Sequence, residues 1–174
     1  MKSQSVDAST AARTDAHDPV WLREQVETAV AKYAQHDGPL LQILHALQGS
    51  LGYIPPTVVP MIAAAVNLSR AEVHGVITFY HYFRQTPPGH RVVQICQAEA
   101  CRSMHCEELT QRAKELLGID FHETTADGRY TLEPVYCLGN CSCAPSLMID
   151  NELHGRMTPA RLPAVLELDA EIAK

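Results

Sequence analysis

The run Thr86-Pro87-Pro88-Gly89 cuts the chain near its middle, and the hydrophobic period differs on its two sides. Consecutive prolines remove two backbone donors and fix φ, so neither a helix nor a central strand runs through them. Ahead of the break, apolar residues recur every three or four positions, the helical period. Beyond it they come in short runs of strand type. The fold class that accommodates both is α+β, with a helical bundle at 18–85 followed by a small α/β domain at 90–174.

In the first half, Asp18-Pro19 reads as a helix cap and first position, with Leu22, Val26, Val30 and Tyr33 on one face up to Asp37-Gly38. Pro39 opens a second helix with the stripe Leu40, Ile43, Leu44, Leu47 and Leu51, stopped by Gly52 and Pro55-Pro56. A third helix is expected from Thr57 to Val66. Ser69 and Glu72 then match a capping box ahead of a fourth, whose apolar face is Val73, Val76, Ile77 and Tyr80.

In the second half, Arg91 to Ile95 is a β-type run ending directly at Cys96, and Glu107 to Leu117 is a helix closed by Gly118. Ile119 to Thr124 and Tyr130 to Tyr136 are strand candidates around the hairpin signal Asp127-Gly128. Leu147 to Ile149 is a further short strand before a turn at Asn151. Thr158-Pro159 starts a last helix with Leu162, Val165, Leu166 and Ile172 inward. No repeat interrupts this order.

The chain has 174 residues, 46% apolar and 20% charged, enough to build a core. Fourteen Lys and Arg stand against 20 Asp and Glu, a net charge of −6 with no basic run, which argues against nucleic acid and anionic membranes as partners. No apolar stretch approaches the roughly 20 residues of a membrane span. Residues 1–17, rich in Ser, Thr, Ala and Asp, read as a solvated, disordered tail that is neither signal peptide nor anchor. The expected location is the cytoplasm.

There disulfides are rare, so the six cysteines become the informative residues. They form two clusters: Cys96 and Cys101 with Cys106 just beyond, and Cys137 and Cys141 with Cys143. Each pair follows a strand, and two strand-end loops on one edge of a sheet can converge, so that four thiolates enclose one metal centre. Gly139 lets the backbone turn tightly and its N–H groups approach sulfur. Four thiolates suit a structural zinc site and a [2Fe–2S] cluster equally well on spacing alone. A thiol–disulfide enzyme is disfavoured by the absence of C-x-x-C. Six thiols in two tight groups also argue against simple core packing.

The segment Cys96-x4-Cys101 followed by Cys137-Leu138-Gly139-Asn140-Cys141-x-x-Ala144-Pro145 resembles the thioredoxin-like [2Fe–2S] ferredoxin family, which includes the small NADH-dehydrogenase subunit of respiratory complex I. Upstream, Leu51-Gly52-Tyr53-Ile54-Pro55, Ser69-Arg70-Ala71-Glu72-Val73 and Thr78-Phe79-Tyr80 resemble that family's helical N-terminal region. The resemblance implies a helical bundle followed by a thioredoxin-like domain. It also implies one [2Fe–2S] cluster held by Cys96, Cys101, Cys137 and Cys141, with no catalytic residue in this chain. The run Cys96-Gln97-Ala98-Glu99-Ala100-Cys101-Arg102-Ser103-Met104 is most similar to the gamma-subunit branch serving cytoplasmic, NAD-linked, molybdenum-dependent formate dehydrogenases. Equivalent subunits of complex I and NAD-linked hydrogenases are the alternatives within the family, and a zinc-stapled interaction module is the alternative from another class. The resemblance implies partner subunits: one with FMN and an NAD(H) site, and one with the molybdenum cofactor and formate chemistry, with further Fe–S clusters between them. This chain itself has no G-x-G-x-x-G and no Walker loop.

Outside the four-ligand pattern, Cys106 falls on a first helical turn and reads as packing, while Cys143, two residues past Cys141, could compete as a ligand in a damaged or mutant cluster. Arg102 is a candidate cation beside the cluster, or simply an exposed arginine. Nine His are scattered; only His74 and His81, seven apart on one helix, could share a face, and metal ligation by them is disfavoured. Tyr80, Tyr82 and Phe83 read as core or subunit-contact aromatics.

Overall fold

A computed structural model describes residues 18–167. The expected tail at 1–17 and Ile172 of the expected last helix lie outside the described residues. The chain divides into two units on either side of the Pro87–Pro88 junction.

The first unit holds α1 (Pro19–Tyr33), α2 (Leu40–Leu51), α3 (Val59–Ala65) and α4 (Arg70–Phe79). The Asp18 carboxylate accepts the Val20 N–H at 2.8 Å, and Gly52, with φ of 82°, closes α2 in the left-handed conformation. The third helix differs from expectation. Pro56–Val58 is a 3-10 turn, because Pro60 has no N–H for the Pro56 carbonyl, which accepts from Val59 instead. At α4 both arms of the capping box form: Ser69 Oγ accepts the Glu72 N–H at 3.2 Å, and the Glu72 carboxylate accepts the Ser69 N–H at 2.8 Å.

Leu22, Val26, Ile43, Leu44, Leu47, Ile54, Ile62, Val73 and Ile77 bury their side chains in one core. Tyr80, expected on the apolar face of α4, stands past its end in extended backbone and is exposed. His81 also follows the helix, so His74 and His81 do not share a helix face. Phe83 returns to the core. Buried Gln48 explains the return: its Nε2 donates to the Tyr82 carbonyl at 2.6 Å and its Oε1 accepts the Arg84 N–H at 2.7 Å. A buried amide with both ends satisfied holds that segment onto α2.

The second unit is a five-stranded mixed sheet in the order β2-β3-β1-β4-β5: β1 (Arg91–Cys96), β2 (Glu123–Thr124), β3 (Tyr130–Val135), β4 (Leu147–Ile149) and β5 (Glu152–His154). The parallel pair β1 and β3 lies at its centre, with Cys96 in register with Val135. Their connection carries α5 (Glu99–Ser103) and α6 (Cys106–Leu117). Pro134 fits in β3 because β2 pairs only with Thr131 and Leu132, leaving that side of the strand open beyond them. Val93, Ile95, Leu132, Leu147 and Ile149 pack with Leu109 and Ala113 of α6 and with Leu162 and Leu166 near the C-terminal end.

Three expectations need correction. The strand expected over Ile119–Thr124 shrinks to Glu123–Thr124. Asp120 accepts from the Phe121 N–H and pairs with Lys114, and His122 takes φ of 67°, so Ile119 and Phe121 reach the core from a turn. The last helix is short, α7 (Leu162–Val165), preceded by a turn in which the Arg161 N–H bonds to Thr158. β5 was not anticipated. Asp150 and Asn151 take φ of 48° and 73°, the two-residue hairpin turn with both central residues left-handed, and Asp-Asn was its available signal.

Candidate metal centre

Because β1 and β3 are parallel neighbours, the chain leaves both at the same end of the sheet. Cys96 is the last residue of β1, and Cys137 follows two residues after β3. The first turn is pinned on both sides: the Gln97 N–H donates to the Val135 carbonyl at 2.7 Å, and its side chain donates to Thr110 Oγ1 at 2.9 Å. Thr110 in turn donates to the Cys106 carbonyl at 2.8 Å, tying the turn to α6.

Cys101 lies within the five-residue helix α5, where a loop was expected. Ala98 to Ala100 are fair helix formers, yet so short a helix shows no period in a sequence. Cys96, Cys101 and Cys106 are buried together with Ala98, Val135, Leu138 and Ala144 against them. Burial is the largest influence on Cys101, pushing its thiol up to about 11, with Cys96 acting further in the same direction. Burial also raises Cys106, ahead of the repulsion from Glu107.

The second loop presents its sulfurs differently, with Cys137 and Cys141 exposed. Their Sγ atoms stand 4.0 Å apart, and the hydrogen bond with Cys137 is the main cause that raises the Cys141 thiol. Cys137 takes φ of 139°, a region that favours glycine, and Gly139 follows with φ of 75°. This backbone path turns the Gly139 N–H onto Cys137 Sγ at 3.3 Å. Cys141 opens a 3-10 turn that ends at Cys143, and the Ala144–Pro145 peptide bond is cis.

Cys96 adds a lesser upward push to the thiols of both Cys101 and Cys141. The chain leaving β1 supplies Cys96 and Cys101, and the chain leaving β3 supplies Cys137 and Cys141. Two thiolates per iron is the ligand requirement of a [2Fe–2S] centre. The donor set fits the two-iron group. Arg102 is exposed and ion-paired with Glu107 at 3.1 Å.

Comparison with known proteins decides the family. The model of thioredoxin-like [2Fe–2S] ferredoxins matches residues 26–168. The chain belongs to this family. Its cofactor is one [2Fe–2S] cluster. The ferredoxin-family relatives include an NADH-quinone oxidoreductase subunit of Pseudomonas aeruginosa, 34% identical over 83% of this chain and 87% of the relative. Another is the HndA subunit of the NADP-reducing hydrogenase of Solidesulfovibrio fructosivorans, 30% identical over 85% of this chain and 86% of the relative. Among solved structures, NAD+-reducing [NiFe]-hydrogenase in the H2-reduced state matches with a TM-score of 0.62 and 25% identity, over 74% of this chain but 21% of that one. The chain thus corresponds to about a fifth of that hydrogenase chain. Among the described residues, no helix is long and apolar enough to cross a membrane.

Proposed function

We propose that this ferredoxin-family chain is the electron-transfer subunit beside an FMN- and NAD(H)-binding subunit, with Cys96, Cys101, Cys137 and Cys141 as the ligands of its cluster. One observation carries the ligand set: parallel β1 and β3 deliver two cysteine pairs to one end of the sheet. The cluster supplies storage and release of one electron at a time. The chain's own residues set where and how readily that happens. The Gly139 N–H bonds to Cys137 Sγ and favours its negative charge. Ala98, Val135, Leu138 and Ala144 keep water from the first pair. The bundle at 18–85 carries the exposed rings of Phe79, Tyr80 and Tyr82, our candidates for subunit contact, and the cluster domain spans 90–174.

The assembly we favour is a cytoplasmic, NAD-dependent formate dehydrogenase, oxidising formate to CO2 on a molybdenum-containing partner. The support is the likeness of the Cys96–Met104 run to that branch. The names of the relatives favour complex I and hydrogenase as second readings.

The ligand test is Cys→Ser at each of the four positions in the full chain, purified without air. Each should abolish the S = 1/2 signal after dithionite, with iron and acid-labile sulfide lost. Normal iron and sulfide in any one would remove that cysteine from the set, and zinc without sulfide in the unaltered chain would favour a stapled module. For the assembly, the tagged chain should be isolated with its partners. Molybdenum and formate-dependent NAD+ reduction are expected; H2-dependent reduction or NADH–quinone activity would assign the relatives' roles instead.

A further inference from the structure

Ser146 touches both halves of the cysteine constellation. It is 1% exposed and immediately precedes β4, whose Leu147 is in register with Ile95 of β1. Its carbonyl accepts the Cys96 N–H at 3.1 Å. That contact faces the first pair.

Its hydroxyl faces the loop of the second pair. Ser146 Oγ accepts from Asn140 Nδ2 at 3.1 Å and lies 3.2 Å from the Cys143 carbonyl and 3.5 Å from the Asn140 carbonyl. A hydroxyl has one proton to donate, and the shorter distance assigns it to Cys143. Asn140 is the residue between Gly139 and Cys141, so its amide grips the segment that aims both exposed sulfurs. Gly155 closes the other side of that amide: an added Cβ there would stand 2.6 Å from Asn140 Nδ2.

We propose that Ser146 is the positioning residue that sets the two cysteine pairs against each other, acting through Asn140, given the four-cysteine ligand set proposed above. The backbone of Ser146 is held by β4 and fixes the first pair. Its hydroxyl transmits that position to a loop whose backbone, at Cys137 and Gly139, occupies conformations that need support from outside. Losing the hydroxyl leaves the fold of the sheet intact and frees the loop.

Ser146→Ala, Asn140→Ala and the double variant, made in the full chain, test this with two readouts: the rate of iron release to a chelator and the g values of the reduced cluster. Both single variants should bind two irons and two sulfides and release iron about fivefold faster, the factor that one lost hydrogen bond carries. Their g values should shift in the same direction, a change that loss of overall stability alone does not produce. The double variant should release iron no faster than either single one, because both remove the same link.

Wild-type release rates and g values in both single variants would overturn the proposal, as would additive effects in the double. If S146A fails to fold by circular dichroism, N140A decides alone on the same two readouts. The Cys→Ser variants separate the two ideas: cluster loss in all four alongside a silent S146A and N140A leaves the ligand set standing and Ser146 without this role. A cluster retained in any of the four overturns both.

Discussion

Gly155 passes so close to the cysteine loop that a Cβ would meet Cys143 Cβ at 2.8 Å as well as the Asn140 amide. Cys143 Cβ and its carbonyl, at 3.0 Å, cannot swing aside, so Gly155→Ala must displace the loop; overpacking of this kind costs roughly 1–3 kcal/mol. Thermal unfolding should show that loss, with the iron content of the isolated protein lowered. Cys106 makes the opposite case. It is buried at 0% exposure and sits on α6 rather than on either ligand loop. Cys106→Ala should leave the reduced spectrum unchanged. Cys106→Ser places a hydroxyl in apolar surroundings and should cost about 1–3 kcal/mol in urea unfolding, again with the spectrum kept. Cys143 is half-buried, with its carbonyl engaged by Ser146 and by the Arg156 N–H. Its replacement by serine keeps that backbone role and should likewise leave the spectrum intact.

At the scale of elements, the capping box of α4 offers a test free of the cluster. Ser69→Ala removes the bond to the Glu72 N–H, and caps of this type are worth about 1 kcal/mol. The backbone N–H of Ser69 holds the Glu72 carboxyl below its ordinary 4.5, with the Ser69 hydroxyl adding to the effect. A carboxyl lowered on folding stabilises above its unfolded value, and that contribution fades as pH falls through the folded one. The acid limb of the bundle's stability curve should therefore flatten in Glu72→Gln below about pH 4.5. A limb of unchanged slope would show that other carboxyls govern it. In the sheet, Leu132 on β3 is fully buried between the strand core and α6 residues. Leu132→Ala should cost about 2–5 kcal/mol and shift the neighbouring Cys96 and Cys137 loops with it.

On the scale of the molecule, each unit has its own apolar core, Ile43, Leu44, Leu47 and Ile62 in one and Val93, Ile95, Leu109 and Leu147 in the other. A fragment 88–174 should thus fold and load its cluster, with the g values of the full chain; a fragment that stays apo and unfolded would show that its core does not suffice alone. The sequence by itself determined the four helices of the first unit, the break at Pro87-Pro88, β1 and the identity of the cysteine loops, because caps, prolines and periodicity act over a few residues. It also carried the likeness to the family, in the residues around its cysteines rather than in their spacing. What it could not hold were elements too short for a period, α5 and β5, and the apolar Ile119 and Phe121 that imitate a strand while packing from a turn. Tertiary structure alone decided that β1 and β3 run side by side and parallel, bringing residues some forty positions apart to one end of the sheet. It alone placed Ser146 between the two pairs, since that arrangement depends on pairing between β1 and β4 and on a loop folding back against Gly155. Hydrogen bonds between distant segments leave no periodic trace in a sequence; they exist only once the chain has closed on itself.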